Sequence, residues 1–175
     1  MKISGDIMIQ NGKEQIFHTK NTLPEKVRMQ METILRDRLA DSIDLMTQAK
    51  QAHWNVKGPS FIALHELFDK IAEESEEYPD VIAERIVQFG GIAEGTIQVV
   101  DKRTSLPNYP LTITTGREHI DALSHSLSVY GELVRTAIKQ ASELDDPATA
   151  DIFTEISRSV DKNLWFIEAH NQAGQ

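Results

Sequence analysis

The feature that most constrains this chain is its division into four long segments whose apolar residues recur at helical spacing. In the first segment these residues are Val27, Ile34, Leu35, Leu39, Ile43 and Met46. Residues three, four and seven positions apart lie on one side of an α-helix, so each segment predicts a helix with one apolar face. Such faces must be buried against each other, and four of them predict a helical bundle.

Local signals predict where the first two helices begin and end. Thr22 and Glu25 are spaced as a capping box, with a proline in the first turn, and predict the start of the first helix. Residues 57–59, which read Lys-Gly-Pro, predict its end. The second helix is predicted over about residues 60–88, because Gly90–Gly91 stop it.

A long connection separates the second helix from the third. It covers roughly residues 92–115, and residues 95–100 are predicted to form a short helix within it. The third helix is predicted to start near Gly116, and Asp146 with Pro147 to cap the fourth. A long crossover at this point distinguishes the ferritin-like topology from a simple up-down bundle. We therefore predict an all-α, ferritin-like four-helix bundle with a short helix in its long connection.

The first residues have a different pattern from the rest of the chain. Residues 1–21 alternate loosely around Asn11-Gly12, a strong signal for a tight hairpin turn. A lone two-stranded hairpin is marginally stable in water, so a flexible tail is an equal alternative. We assign residues 1–21 to an N-terminal arm and residues 22–175 to the bundle domain.

Composition narrows the function. The chain of 175 residues has a formal net charge of −9, which argues against a generally basic nucleic-acid binder and suits an acidic surface that attracts cations. It has no cysteine, so any metal site must use His, Asp or Glu. It shows neither a signal peptide nor a membrane-spanning run, and we expect a soluble, cytoplasmic protein without a membrane partner.

The second predicted helix carries two different faces. Its apolar stripe consists of Leu64, Phe68, Ile71, Tyr78, Ile82, Ile86 and Phe89. Four potential metal ligands lie on a separate flank, at about 0°, 40°, 60° and 100° around the axis: His65, Asp69, Asp80 and Glu84. A solvated charged face is the commoner reason for such a flank. Along the axis, however, Asp69 and Asp80 are roughly 16 Å apart, too far to hold one metal ion, so the four residues form two half-sites.

The two half-sites are related by symmetry. The middle of the helix, between positions 74 and 75, divides both the His65/Glu84 pair and the Asp69/Asp80 pair equally. If the helix packs antiparallel against its own copy about a two-fold axis, His65 and Asp69 of one chain lie opposite Glu84 and Asp80 of the other. A solvated face does not require this symmetry. The symmetry therefore predicts two identical sites between two subunits.

His53, near the end of the first helix, is predicted to point toward the same flank. With it, the shell contains two imidazoles and several carboxylates, a donor set that suits Fe(II) or Zn(II). The Glu-x-x-His motifs of the conventional ferritin site are absent from the sequence, which moves the predicted site from the bundle interior to the interface.

Three stretches carry a family resemblance. AHWNVKGPSFIALHELFD, followed by DVIAERIVQFGG, resembles the signature of the Dps family, the DNA-binding proteins from starved cells, which are small ferritin-like proteins. TADIFTEISRSVDKNLWFIEAH is similar to the last helix of that family, and the likeness covers about residues 22–170. It implies a hollow homododecamer that oxidises Fe(II), preferentially with hydrogen peroxide, at two-iron sites on two-fold interfaces. The ferric mineral would be stored inside.

The resemblance also implies a role for each ligand. His65 and Glu84 correspond to the direct ligands of the tighter iron, and His53 and Asp69 assist the second iron. Asp80 would bridge or bind through water. The preceding proline predicts a kink that shifts Asp80 away from the metals. Zinc would compete with iron for these donors.

Three further residues match family positions. Trp54, beside His53, resembles a tryptophan near the metals that supplies an electron and limits radical escape, although interface packing is an alternative role. Asp146 and Asp151 resemble the acidic lining of a three-fold pore through which iron enters. Helix capping is the alternative for both, and Asp151 is the better pore candidate.

Two other functions stay open. The first is a DNA-compacting stress protein. Residues 1–28 hold five basic against three acidic side chains, and the C-terminal EAHNQAGQ has no Lys or Arg, so we expect weak or no DNA binding at physiological salt. The second is a di-iron oxygenase with an organic substrate, which needs an open apolar pocket that an interface site does not readily supply.

Overall fold

Five helices build the described part of the chain, residues 17–172 of a computed structural model. They are α1 (Glu25–Asn55), α2 (Phe61–Gln88), α3 (Ile97–Arg103), α4 (Gly116–Glu143) and α5 (Pro147–Gln172). The only β-type pairing among these residues is one bridge between Lys57 and Thr115. Along this range, no helix is both long and apolar enough to cross a lipid bilayer. The predicted all-α bundle is confirmed.

Two helical hairpins pack together around one core. α1 lies chiefly along α2 and α4 along α5, while α1 also contacts α4 and α2 contacts α5. All seven residues of the predicted α2 stripe are buried, and Phe68 and Phe89 are fully so. Pro79 lies inside α2, which nevertheless continues to Gln88. The proline therefore does not divide the helix that carries the predicted ligands.

The long connection is held against α1 by polar contacts. Asp41, which is fully buried, accepts a hydrogen bond of 2.7 Å from the Ser105 amide. Burial raises the pKa of Asp41, and the charge of Arg38 opposes that shift. Arg103, at the end of α3, pairs with Asp37 at 3.2 Å. The predicted short helix is present, but it begins two residues later than the prediction and ends at Arg103.

The predicted capping box of the first helix is wrong. α1 begins at Glu25 with Pro24 in the capping position, and no side chain caps it. Asn21 instead accepts a hydrogen bond from the Leu23 amide, and this turn takes the place of the cap. The capping box is found at α4, where Thr115 and Glu118 satisfy each other's backbone amides.

A buried ion pair joins the start of α5 to the end of α2. Asp146 caps α5 by accepting from the Thr149 amide at 3.2 Å, as predicted. Its carboxylate also pairs with Arg85 at 2.9 Å, and the two side chains are 1% and 11% exposed. The Arg85 guanidinium lies over the Phe89 ring. This contact fixes the packing of the two hairpins at one end of the bundle.

The last residues of the N-terminal arm run beside the end of α2. The Phe17 amide donates a hydrogen bond of 2.7 Å to the carbonyl of Gly90, which ends α2 as predicted with a φ of 91°. The hairpin predicted at Asn11-Gly12 lies outside the described residues.

We expect Asp146→Ala to lower the free energy of unfolding by about 3 kcal/mol, because it leaves a buried guanidinium unpaired and removes a helix cap. Urea unfolding followed by circular dichroism measures the change. Asp151→Ala, an exposed carboxylate in the first helical turns of α5, is the control and should change the value by less than about 0.5 kcal/mol. Equal effects of the two substitutions would contradict the role of the ion pair.

Candidate metal centre

Two histidines hold each other in place between α1 and α2. The Nδ1 of His53 lies 2.8 Å from the carbonyl oxygen of His65, and the Nδ1 of His65 lies 2.8 Å from the carbonyl oxygen of His53. Because a carbonyl oxygen only accepts, both rings carry their proton on Nδ1. The lone pair of each ring is then on Nε2. Hydrogen bonds of this kind fix the tautomer and orientation of metal-binding histidines.

The turn between the helices explains why these rings meet. α1 ends at Asn55 and α2 begins at Phe61, so His53 occupies the last turn of one helix and His65 the second turn of the next. Gly58 allows this short connection with a φ of 119°. The two rings stack with centroids 3.7 Å apart.

Asp69 lies one helical turn beyond His65. Its carboxylate is 3.9 Å from the Nδ1 of His53 and is paired with the Lys50 ammonium group. The hydrogen bond from Lys50 lowers the pKa of Asp69; partial burial opposes this shift, and the charge of the same ammonium group reinforces it. The Asp69 carboxylate is therefore ionised at neutral pH. It is paired with the Lys50 ammonium group, which competes with any metal cation for the carboxylate.

Asp80 and Glu84 lie on the same helix but not in the same cluster. Both side chains are exposed, and they follow Asp69 by roughly 16 Å or more along the axis. Within residues 17–172 of a single chain, no three His, Asp or Glu side chains are placed to hold a metal ion. In one chain, His53 and His65 stack and Asp69 lies beside His53, but these three side chains do not form a complete metal site, and Asp80 and Glu84 lie apart from them.

The flank that carries the ligands is open and bounded by exposed apolar residues. Asp80 lines an open cleft of about 760 Å³ between α1 and α2. At the two ends of the flank, Ile62 is 61% exposed and Val87 is 58% exposed. Their positions are symmetric about the same midpoint as the ligands, and at about 60° and 40° they share the ligand flank. In the predicted antiparallel pairing of two copies, Ile62 of one copy would lie opposite Val87 of the other.

Trp54 lies beside this half-site and is 69% exposed. It lines a cavity of about 660 Å³ together with Lys50, Gln51 and Tyr109. Sequence reasoning missed Lys50 and Tyr109. Lys50 precedes His53 by three positions, so helical spacing alone would have placed the two on one face. No sequence signal brings Tyr109 here, since it belongs to the long crossover.

The two pore candidates have different environments. Asp146 is buried and engaged by Arg85 and Thr149 inside the subunit. Asp151 is exposed on α5. Of the two candidates, only Asp151 offers its carboxylate to solvent, so the pore prediction now depends on that residue.

Comparison with known proteins agrees with this fold. A ferritin-like domain family matches residues 32–175. The protein named "DNA protection during starvation protein" from Agrobacterium fabrum is 47% identical over 154 residues, which cover 88% of this chain and 95% of that protein. DpsA14 from Streptomyces coelicolor has a TM-score of 0.85 at 30% identity and covers 90% of this chain and 93% of its own. The tetragonal form of Mycobacterium smegmatis Dps has a TM-score of 0.82 at 30% identity, covering 87% and 93%.

A four-helix bundle whose second and third helices are joined by a long crossover defines a ferritin-like protein. Within that class, the chain belongs to the Dps family of mini-ferritins. Family and fold together support iron binding, iron storage and DNA protection in general, and proteins of this kind are typically iron-oxidising.

Replacing Lys50 should strengthen cation binding at Asp69, because the ammonium group no longer competes for the carboxylate. We expect Lys50→Met to tighten Zn(II) binding by about tenfold, equivalent to about 1.4 kcal/mol, in isothermal titration calorimetry. Lys70→Met removes an ammonium group that pairs with Glu74 and is the matched control. Unchanged zinc affinity in Lys50→Met would show that the ion pair does not limit binding.

Proposed function

We propose that this protein is a ferroxidase that oxidises Fe(II), preferentially with hydrogen peroxide, at a two-iron site between two subunits. The observation that carries the proposal is the reciprocal hydrogen bonding of His53 and His65, which directs both ring protons away from Nε2. Each ring then has its lone pair on Nε2, the form in which imidazole binds a metal, and the ionised Asp69 lies on the same flank. The symmetry of the flank supports the contribution of a second chain.

The donor set fits ferrous and ferric iron. Imidazole nitrogen suits Fe(II), and carboxylate oxygen stabilises the Fe(III) product. We assign His65 of one subunit and Glu84 of the other to the tighter iron. His53 and Asp69 assist the second iron, and Asp80 bridges or binds through water. Zn(II), which prefers the same donors, competes for the site.

The presence of two irons in each proposed site determines how many electrons hydrogen peroxide receives at once. Two Fe(II) ions supply two electrons, which with two protons reduce one hydrogen peroxide to two water molecules. No hydroxyl radical is released when both electrons arrive together. The protein holds both ions within one shell, and Trp54 at its edge supplies an electron when only one iron is present.

The ligand flank of α2 is exposed in the single chain, which supports the proposal that a second chain completes the site. We propose isologous dimers that pair the α2 flanks and assemble into a hollow homododecamer storing ferric mineral. With a formal charge of −9 on each chain, such a shell concentrates cations around it. Asp151 is our candidate for the acidic lining of the iron entry pore.

Protection of DNA would follow from removal of iron and peroxide rather than from tight binding. The net acidity of the chain, the small excess of five basic over three acidic residues in residues 1–28, and the absence of Lys and Arg from the C-terminal EAHNQAGQ support weak or absent DNA binding at physiological salt. Compaction of DNA with little catalysis is therefore the less favoured alternative.

The His65→Ala, Asp69→Ala double variant should lose most peroxide-driven Fe(II) oxidation, because each of the two sites in every dimer loses two ligands. Stopped-flow absorbance with hydrogen peroxide, and separately with dioxygen, measures the rate; we expect a loss on the order of 100-fold. Asp121→Ala, His125→Ala is the matched control, with the same residue types four positions apart on the exposed face of α4. Equal rates in the parent and the first variant would refute the assignment.

Complementation tests whether the site lies between subunits. His65→Ala, Asp69→Ala and Asp80→Ala, Glu84→Ala should each be inactive alone. In a mixed dimer, the second variant's histidine half meets the first variant's carboxylate half, so random co-assembly restores about a quarter of the sites. Recovery of Fe(II) oxidation after co-expression is the expected result. Absence of recovery in mixed assemblies, verified by mass spectrometry, would place the site within one chain.

A further inference from the structure

A tyrosine–histidine pair lies behind the proposed metal centre and has no part in iron binding. The hydroxyl of Tyr109 is 2.7 Å from the Nδ1 of His119, and the two rings are nearly parallel, with an interplanar angle of 21°. His119 is only 1% exposed, and its ring also lies near Phe68 in the core. The hydrogen bond joins the long crossover to α4.

The protonation states of Tyr109 and His119 determine which of the two donates this hydrogen bond. Burial raises the pKa of the Tyr109 phenol, so its hydroxyl keeps its proton. Burial lowers the pKa of His119, and the charge of Glu118 and the backbone carbonyl of Asn55 only partly oppose that shift. At neutral pH the imidazole is therefore uncharged, and its Nδ1 accepts from the phenol. The pair consists of a protonated phenol hydrogen-bonded to a free base.

The pair adjoins Trp54 because the crossover returns to α1. Tyr109 and Trp54 line the same cavity of about 660 Å³. Gln48 on α1 fixes the crossover there, donating to the Pro107 carbonyl at 3.0 Å and accepting from Ser126 on α4 at 2.6 Å. Tyr109 is thus held by its own hydrogen bond to His119 and by the anchoring of the crossover at Pro107, at a wall of the cavity that Trp54 also lines.

We propose that Tyr109 is a redox-active residue that re-reduces oxidised Trp54, with His119 as the acceptor of its proton. A phenol that loses an electron becomes a very strong acid, so its oxidation is favourable only where a base takes the proton. His119 is such a base, and its burial keeps the transferred proton next to the oxygen that must recover it. The radical that oxidises Trp54 would come from the iron and peroxide chemistry of the proposed ferroxidase, so this part of the proposal rests on that function.

The electrons and protons balance in four steps. A single Fe(II) gives one electron to hydrogen peroxide, the O–O bond breaks, and Fe(III), hydroxide and a hydroxyl radical form. Trp54 gives an electron to that radical, which takes a proton from solvent and becomes water. Tyr109 then gives an electron to the indole cation radical while its proton moves to the Nδ1 of His119. The neutral tyrosyl radical is later reduced by another Fe(II), and His119 returns the proton.

The other two tyrosines of the chain are placed differently. Tyr78 is 5% exposed and donates to the Ser159 hydroxyl at 2.7 Å, a group that is not a base at neutral pH. Tyr130 is fully buried and packs against Tyr78 in the core. Among the three, Tyr109 has the imidazole partner and lines the cavity with Trp54. This makes Tyr78→Phe a matched control.

Pulse radiolysis with azide radicals tests the transfer without iron. These radicals oxidise tryptophan near neutral pH, and Trp165→Phe leaves Trp54 as the only indole of the chain. In this assembled variant, we expect the tryptophanyl absorbance to decay at the same rate as the tyrosyl absorbance grows. Adding Tyr109→Phe should abolish the growth, and adding Tyr78→Phe should leave it unchanged. Adding His119→Asn, whose amide oxygen accepts a hydrogen bond but not a proton, should slow it on the order of 100-fold.

Each arm can overturn the proposal. A tyrosyl signal that persists in Tyr109→Phe, or fails to form in the Trp165→Phe background, rules out Tyr109. An unchanged rate in His119→Asn rules out His119 as the proton acceptor. If that variant does not fold, the rate in heavy water replaces it, and equal rates in both solvents count against coupled proton transfer. Because no iron is present, loss of this transfer and loss of ferroxidase activity are separate results.

Discussion

Two imidazole rings hold the end of α1 against the start of α2, because each ring donates to the backbone carbonyl of the other residue. The bonds satisfy polar groups where two helices meet, and they also select the tautomer. With Nδ1 protonated in both rings, the nitrogens that bind metal are left available. The position of Asp69 and the direction of the ligand flank follow from this junction, since α2 begins there.

α2 has one face that is buried in the bundle and another that is exposed in the single chain. Its apolar stripe is buried in the bundle, whereas the flank with Asp69, Asp80 and Glu84 is partly or fully exposed in the single chain. Asp80 and Glu84 are exposed carboxylates one helical turn apart, so their like charges repel each other. In the proposed dimer, bound cations would relieve this repulsion, and a second copy of the helix would cover Ile62 and Val87. The proposed function is thus also a reason for assembly.

The long crossover has a structural and a chemical role. Its polar contacts with α1, through Asp41 and Gln48, hold it in place. The same contacts bring Tyr109 to the cavity that Trp54 lines and to the imidazole of His119 on α4. Two segments far apart in the sequence, α1 and the crossover, thereby line one cavity beside the proposed ligand His53, and a third, α4, supplies the imidazole that contacts Tyr109. An aromatic group placed there has access to any radical formed at the proposed site.

The sequence by itself determined the helices and the faces of α2, because a 3.6-residue period separates a buried stripe from a polar flank without knowledge of the neighbours. It also predicted the topology and the symmetry of His65, Asp69, Asp80 and Glu84, which depend only on spacing. It wrongly predicted a capping box for the first helix, because α1 has no side-chain cap and Asn21 instead forms a turn just before it. Only the tertiary structure decided that Asp146 faces Arg85, that Lys50 pairs with Asp69, and that Tyr109 meets His119. These are contacts between separate elements, and they depend on helix packing and loop path, which no local pattern encodes.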